Sequence, residues 1–522
     1  MHVGRGTDMR GLGRTALVAA VLVATVVPLS GPARAQACAP GSDFNGDGCG
    51  DLIVADPDAT VDGKARAGRV NVVYGGENAA RALLTQGMTG VGDTAETDDR
   101  FGAVVRAAQI NDDAYADLVV AVPSESVGSA DDAGVVHVIF GSVAGLGGGK
   151  SGIVLRQGAF GVPGVPEAGD RFGASIAVNT TDLDGAGLPA PAIAYGAPGE
   201  DLGSVPDAGA AGLVAFDVST GDVTLARDLT QDSPGISGKA ERGDRFGAAV
   251  EVFQGPGGFG CSASTAQGYT IVVGVPGEDL DGVQDGGMVH IARGLATDTP
   301  LSQDTAGVDG VAETGDQFGA SLALTSFCEH DGPSHVKLVV GVPHEDIGAA
   351  ADAGAVHLFA TDDDELPLPQ RWSVNQETAS VAGAAEAGDR FGTTLALGGP
   401  WRDGLGEPVV VGVPGEDVDS STDAGFIQVF GDGTTAPGNG DVGVAQSDLG
   451  DPAQAGDQFG AALAARYQAL FVAAPDDVTY STGVVHVIGW DAVFGGGADT
   501  VIAPGVDGVP SGAARFGAAL AA

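Results

Sequence analysis

Basic residues are the first thing this sequence is short of: 24 Lys and Arg stand against 69 Asp and Glu in 522 residues, a formal net charge of −45. A chain so poor in cations cannot displace counterions from nucleic-acid phosphates, which argues against DNA, RNA and anionic membrane surfaces as partners. Aromatic residues amount to 5%, yet 43% of residues are hydrophobic, enough to fold rather than stay an acidic disordered polymer. Cysteine is scarce, at positions 38, 49, 261 and 328, with no CxxC spacing, so neither a zinc nor a redox site is expected. There is no GxSxG and no HExxH. Gly149-Lys150-Ser151 lacks the upstream Gly of a phosphate loop, and the Gly run at 255–260 does not lead a strand into a helix.

Long apolar runs are also missing, except at the amino terminus. Arg10 and Arg14 precede the apolar stretch Thr15 to Leu29, and Ala33-Arg34-Ala35 supplies the small residues a signal peptidase reads. The stretch falls short of the roughly 20 residues that span a bilayer, so residues 1–35 read as a secretory signal. Cys38 lies near enough to raise a lipoprotein anchor, but Ala35-Gln36-Ala37 lacks the large aliphatic residue of such signals. Removal of four Arg and one Asp leaves 20 basic and 68 acidic residues, a charge of −48 on residues 36–522. In an exported chain four cysteines read as two disulfides. Three connectivities are open; Cys38–Cys49 with Cys261–Cys328 is favoured, the short first loop contributing roughly 3 kcal/mol in the chain-entropy model.

What is abundant is repetition. A Phe-Gly pair recurs at Phe101, Phe172, Phe246, Phe318, Phe391, Phe459 and Phe516. A β-branched run ending in small-small-Pro recurs at Pro57, Pro123, Pro198, Pro276, Pro343, Pro414 and Pro475. Gly followed by alternating apolar residues recurs after Gly68, Gly134, Gly287, Gly354, Gly425 and Gly483. Each motif reads as a strand, and a period near 70 residues accommodates about four strands. The first repeat has no Phe-Gly strand before Pro57, while Phe516-Gly517 near residue 522 has no partner strands after it. The last strand is therefore expected to complete the first blade of an all-β, seven-bladed β-propeller, closed by the C-terminal strand and free of exposed edges.

These paired motifs resemble the FG-GAP repeat family, best known from the propellers of integrin α subunits, over about 95% of residues 36–522. The resemblance implies a calcium-stabilised extracellular binding or adhesion module.

One loop carries a metal-site spacing in its own right. Asp43, Asn45, Asp47 and Asp51 place oxygen side chains at positions 1, 3, 5 and 9, with Gly48 at the sharp turn and the Cys49 carbonyl at position 7, the pattern that wraps Ca²⁺. The bland alternative is an Asx-rich turn without metal. In the second repeat Asn111, Asp113, Tyr115 and Asp117 keep part of this pattern, but Gln109 and Ala114 replace the first Asp and the turn Gly. Later repeats have lost it, and two of them carry Cys261 and Cys328 at that place.

Acidic loops recur after each Pro and before each Phe-Gly, as in Glu200-Asp201 and Glu167-Ala-Gly-Asp170. Strands running alternately up and down put these loops on one face, opposite the calcium loops, where they are expected to latch neighbouring loops, the alternative being recruitment of a ligand or cation by the pooled charge. His137, His290, His357 and His486 occupy one repeat position in different blades, hence structural rather than metal-binding roles. The sequence-level expectation is a secreted monomer that binds an extracellular protein or glycan through no catalytic group. The alternative is a hydrolase or lyase on the acidic face, with non-repeating Trp372, Trp401, His330 and His335 as first places to look.

Overall fold

The computed structural model describes residues 41–76, 80–179, 191–254, 269–328, 334–361, 366–399, 407–431, 437–438, 441–480, 482–495 and 499–522; at 254, 327, 328 and 334 only the backbone is described. The chain divides into two compact units, Met1–Ala35 and Gln36–Ala522. The first, with the expected signal, lies outside the described residues.

The second unit is built of seven four-stranded antiparallel sheets. The innermost strands are Ala519–Ala521 for blade 1, then Val104–Ala108, Ser175–Asn179, Ala249–Gln254, Ser321–Cys328, Thr394–Leu397 and Ala462–Arg466 for blades 2 to 7. Each touches the next and the last touches the first, so the blades form a closed ring. Closure follows the expected route: Ala519, Leu520 and Ala521 pair with Ala55, Val54 and Ile53 in the second strand of blade 1.

Every recurring sequence motif has a place in this ring. The run before each Pro is the second strand of a blade, and the run after each repeated Gly is the third. The alternation in these strands does not separate core from solvent. Leu52–Asp56 and Arg69–Val73 are buried along their whole length, because each blade is covered on both faces. Ile53, Ala55, Val70 and Val72 pack toward blade 2, whereas Leu52, Val54 and Val73 pack toward blade 7. Seven apolar clusters result, one per blade interface.

The repeated Gly and the Phe-Gly pair are two halves of one contact. Gly68 adopts φ +82°, and a Cβ there would overlap the backbone of Phe101 from the next blade. The same clash would arise at the closure, between Gly483 and Phe516. Only glycine permits both the left-handed backbone and the approach. The Phe rings then stand fully buried against the third strand of their own blade, Phe101 edge-on to His137 and Phe459 edge-on to His486.

Blade 3 departs from this pattern. The position held by His in blades 2, 4, 5 and 7 is Gly212, and opposite it stands Tyr195, where the other blades have Val. The Tyr195 ring fills the missing imidazole's place, 4.4 Å from the Phe172 ring centroid. Its hydroxyl lies 3.4 Å from the Arg227 carbonyl.

Candidate calcium loops and the acidic loop face

The loop at Asp43 to Asp51 leads into Leu52–Asp56 and touches blade 2, where the Ala116 and Ser142 amides donate to the Asp43 and Phe44 carbonyls. Asp43 Oδ1 accepts backbone N–H groups of Asn45, Gly46 and Asp47, at 3.3, 2.7 and 3.2 Å, and its Oδ2 accepts that of Gly48 at 2.7 Å. Asn45 Oδ1 accepts from the Asp47 amide and Asp47 Oδ1 from that of Cys49, both at 2.9 Å. Gly46 and Gly48 take φ +73° and +83°, which winds the loop tightly enough for one carboxylate to reach so many amides. Asp51 is fully buried, and its two oxygens accept the amides of Phe44 and Gly75 at 2.8 and 2.9 Å. Burial lifts its carboxyl to about 6, and repulsion from Asp43 and Asp47 adds to the lift.

These residues offer hard oxygen donors, and a carboxylate oxygen that accepts one N–H keeps a lone pair for a cation. The clustered charge also favours one. The loop is nonetheless folded by its own Asx turns: among the described residues no three His, Cys, Asp or Glu side chains are already gathered on one point as a metal site. Sequence reasoning missed a cation the chain supplies itself. Arg466, at the end of the innermost strand of blade 7, donates from Nη1 to the Asp51 carbonyl at 3.2 Å and lies over the Phe471 ring. Its burial lowers its own basicity and the Asp51 charge raises it.

The second loop keeps the frame and loses part of the chemistry. Asp117 again accepts two amides, from Ile110 and Gly141, both at 2.9 Å. Asp113 accepts from Asn111 Nδ2 at 2.8 Å and from the Tyr115 amide at 2.9 Å. At position 1, however, Gln109 donates, from Nε2 to the Asp113 carbonyl at 2.7 Å, where Asp43 accepts. Asp112 takes φ +47°, matching Gly46, but Ala114 is not left-handed, because its Cβ disfavours the turn that Gly48 makes. Burial pushes Asp117 up to about 7, and Lys150, which donates to the Thr220 carbonyl, pulls it back.

Cys49 is disulfide-bonded. Cys38, Cys261 and the Cys328 side chain lie outside the described residues, as do His330 and Trp401. Trp372 is a core residue, buried 5.2 Å from the Phe430 ring centroid, and His335 is half-buried at the start of a strand.

On the opposite end of the ring, the loops after Pro and before Phe-Gly do meet. The amides of Gly199, Gly277 and Gly415 donate to the carbonyls of Asp170, Asp244 and Asp389. Each of those three Asp side chains in turn caps the amide three residues upstream, Glu167, Glu241 and Glu386, at 2.5–2.6 Å. Besides Arg466 at a strand end, two charges midway along the innermost strands do not repeat. Arg106 and Glu251 sit five residues after their Phe, where the other five blades have Ala177, Ala323, Ala396, Ala464 and Ala521. Burial raises Glu251 to about 7 and Arg106 opposes the shift; blades 2 and 4 are not neighbours, so the two act across the centre of the ring.

No protein-family model matches the chain. Among curated proteins it is similar to phosphatidylinositol-glycan-specific phospholipase D of Mus musculus, 32% identical over 105 residues, and of Rattus norvegicus and Bos taurus, 33% identical over 107 residues. The match covers 20% of this chain and 12–13% of those proteins, so the chain spans about an eighth of the length of these relatives. Among solved structures it is similar to Saccharomyces cerevisiae Sqt1, at 10% identity and TM-score 0.41 over 86% of this chain and 82% of that one. A putative 6-phosphogluconolactonase from Bacteroides fragilis gives 11% identity and TM-score 0.42 over 90% and 97%. Likenesses this distant carry no functional weight. Among the described residues no helix is long and apolar enough to cross a membrane.

Proposed function

We propose that this chain is a secreted FG-GAP-type propeller that works as an extracellular binding or adhesion module and is stabilised by calcium in its first loop. The observation that carries the reading is the shared frame of the two loops. In both, the ninth-position Asp is buried and locked by two amides, while only Asp43 to Asp51 also presents acceptors at positions 1, 3 and 5. Asp43, Asn45, Asp47, the Cys49 carbonyl and Asp51 would hold the ion; Asn111, Asp113, Tyr115 and Asp117 would hold one weakly, given the Gln109 donor and the nearby Lys150 charge. Bound calcium would supply charge neutralisation and no chemistry.

The FG-GAP assignment rests on the coincidence of Phe-Gly, repeated Gly and small-small-Pro at one structural place in blade after blade. The ligand would be an extracellular protein or glycan met by the broad face of similar loops, and the propeller would act as a monomer. Export is supported by the signal-like segment at residues 1–35 and by the disulfide at Cys49.

The test is a thermal melt of the full chain with chelator and with millimolar Ca²⁺. For a dissociation constant of about 10⁻⁴ M, 1 mM Ca²⁺ stabilises by about 1.4 kcal/mol. Superimposed melts would remove calcium from the reading, and Asp47→Ala should abolish any difference that is seen.

A second reading, a hydrolase, is favoured by one observation: the non-repeating Glu251 and Arg106 on the innermost strands. A screen with phosphodiester and glycoside substrates tests it, since activity lost in Glu251→Gln would replace the binding-module reading.

A further inference from the structure

The acidic face hides a repeated contact that motif spacing does not display. Just after the outer strand of six blades stands a Gln, and each reaches into the following blade. Gln86 Nε2 donates to Glu125 at 2.6 Å, Gln157 to Glu200 at 2.5 Å and Gln303 to Glu345 at 2.7 Å; Gln231 donates to Glu278 and Gln376 to Glu416. Gln446 makes the same contact to Asp477 at 3.0 Å. All six glutamines are at least nine-tenths buried. In all six the other amide atom, Oε1, is buried without a hydrogen-bond partner.

A buried acceptor left unpaired once is a local flaw; left unpaired in six junctions it asks for a common donor. The neighbourhood offers none among its charged groups. Glu125 faces Asp99, Asp93 and Glu96; Glu200 faces Asp170, Glu167 and Asp228. Glu345 faces Asp316, Glu313 and Asp346, and Glu416 faces Asp389, Glu386 and Asp417. Glu278 faces Asp244, Glu241 and Asp279, with His290 as the one nearby base. Carboxylates supply only acceptors, and a neutral His290 that donates from Nδ1 to Asp298 Oδ2, 2.8 Å away, has in Nε2 a second acceptor and no donor.

The seventh junction shows which residues belong together. There the Gln position is Pro504, the Glu position is Ala59 and the Asp before Phe-Gly is Ala514. Amide, carboxyl and neighbouring acid are absent as a set. In their place Asp56 accepts the Ala514 and Arg515 amides and pairs with Arg69.

We propose that the five Gln–Glu junctions are proton-loaded locks, in which Glu is a carboxylic acid paired with the Gln amide in a closed two-hydrogen-bond ring. The amide N–H donates to one carboxyl oxygen, and the acid O–H donates to the Gln Oε1 that otherwise has no partner. The proton comes from solvent and returns to it; no other bond changes. Burial acts in the same direction, holding Glu125 up to about 8 and Glu200 and Glu416 up to about 7, with repulsion from the neighbouring acids adding to it. An acid whose folded value is raised stabilises the fold fully below its ordinary value, and that stability drains away as pH rises through the raised one. The ring is therefore tightest near pH 5 and loosens as pH rises through about 7 at Glu200 and Glu416 and about 8 at Glu125.

The test is denaturant unfolding of the full chain from pH 5 to 8, beside the triple variant Glu125→Gln, Glu200→Gln, Glu416→Gln, which keeps an amide partner and has no proton to lose. The wild-type unfolding constant should rise roughly a hundredfold for each of these three junctions across that range, and the triple variant should lose that share while keeping what Glu278 and Glu345 contribute. Equal slopes would overturn the proposal. If the triple variant fails to fold, side-chain ¹³C titration of Glu in the wild type decides: carboxyls ionised with ordinary midpoints refute the locks, and five retained acids at pH 6 support them.

Discussion

Blade 3 allows a sharp test of why the third strands carry His. Tyr195→Val removes a buried phenol packed on Phe172 and should cost about 3 kcal/mol, the lower part of the range for emptying an aromatic site. Gly212→His alone forces a side chain into space the Tyr195 ring and the Arg227 carbonyl already occupy, so it should cost about 3 kcal/mol or more through overpacking. The double variant restores the Val-opposite-His arrangement of blades 2, 4, 5 and 7, with the imidazole placed against Phe172. The Arg227 carbonyl must still give way, so some loss remains, about 1–2 kcal/mol below wild type. Urea unfolding of the four proteins would then yield a favourable coupling of about 4 kcal/mol, far beyond the few tenths seen for independent sites. Additive losses, or a double variant worse than both singles, would refute the idea that Tyr195 stands in for the imidazole.

Other outcomes follow from buried charge. Asp56→Ala should cost about 3–5 kcal/mol in chemical denaturation, because it strands buried Arg69 and leaves the Ala514 and Arg515 amides without their acceptor. His357 is held down to about 4 by burial, against the opposing pull of a hydrogen bond with Gln370. The unfolded chain binds that proton near 6.5, so this group costs stability as pH falls from about 6.5 to 4. His357→Gln, the residue type blade 6 uses at Gln428, should remove roughly 2–3 kcal/mol of that acid loss, read from unfolding midpoints at pH 4 and 6.5. An unchanged acid limb would show that His357 takes no part in it.

Much of this architecture was legible before any coordinate. Seven Phe-Gly and seven small-small-Pro motifs, and their staggered ends, sufficed for blade number, strand order and closure, since each motif reports a backbone contact that tolerates few residue types. Burial was less legible. The alternation in Arg69–Val73 reads as one wet and one dry face, whereas it distinguishes blade 2 from blade 7, and sequence period alone does not say what lies on either side. The loop at Asp43 was legible as oxygen donors at fixed spacing; Arg466 behind it was not, because 415 positions separate it from Asp51. The Gln–Glu junctions left a trace that could have been read. Gln recurs just after the outer strand at 86, 157, 231, 303, 376 and 446, and Glu two residues after Pro in five blades. Only the fold shows that the two series meet.

The strand that completes blade 1 has a kinetic consequence. Ile53 finds its partner Ala521 at almost the opposite end of the ring-forming sequence, so this pairing carries the largest loop-closure entropy of any in the ring and should form late. Until it does, Leu52–Asp56 is an apolar strand with an open edge. In a crowded environment that edge can accept the corresponding segment of a second molecule, and slow or interrupted folding should therefore give strand-swapped pairs that share blade 1 rather than any other blade.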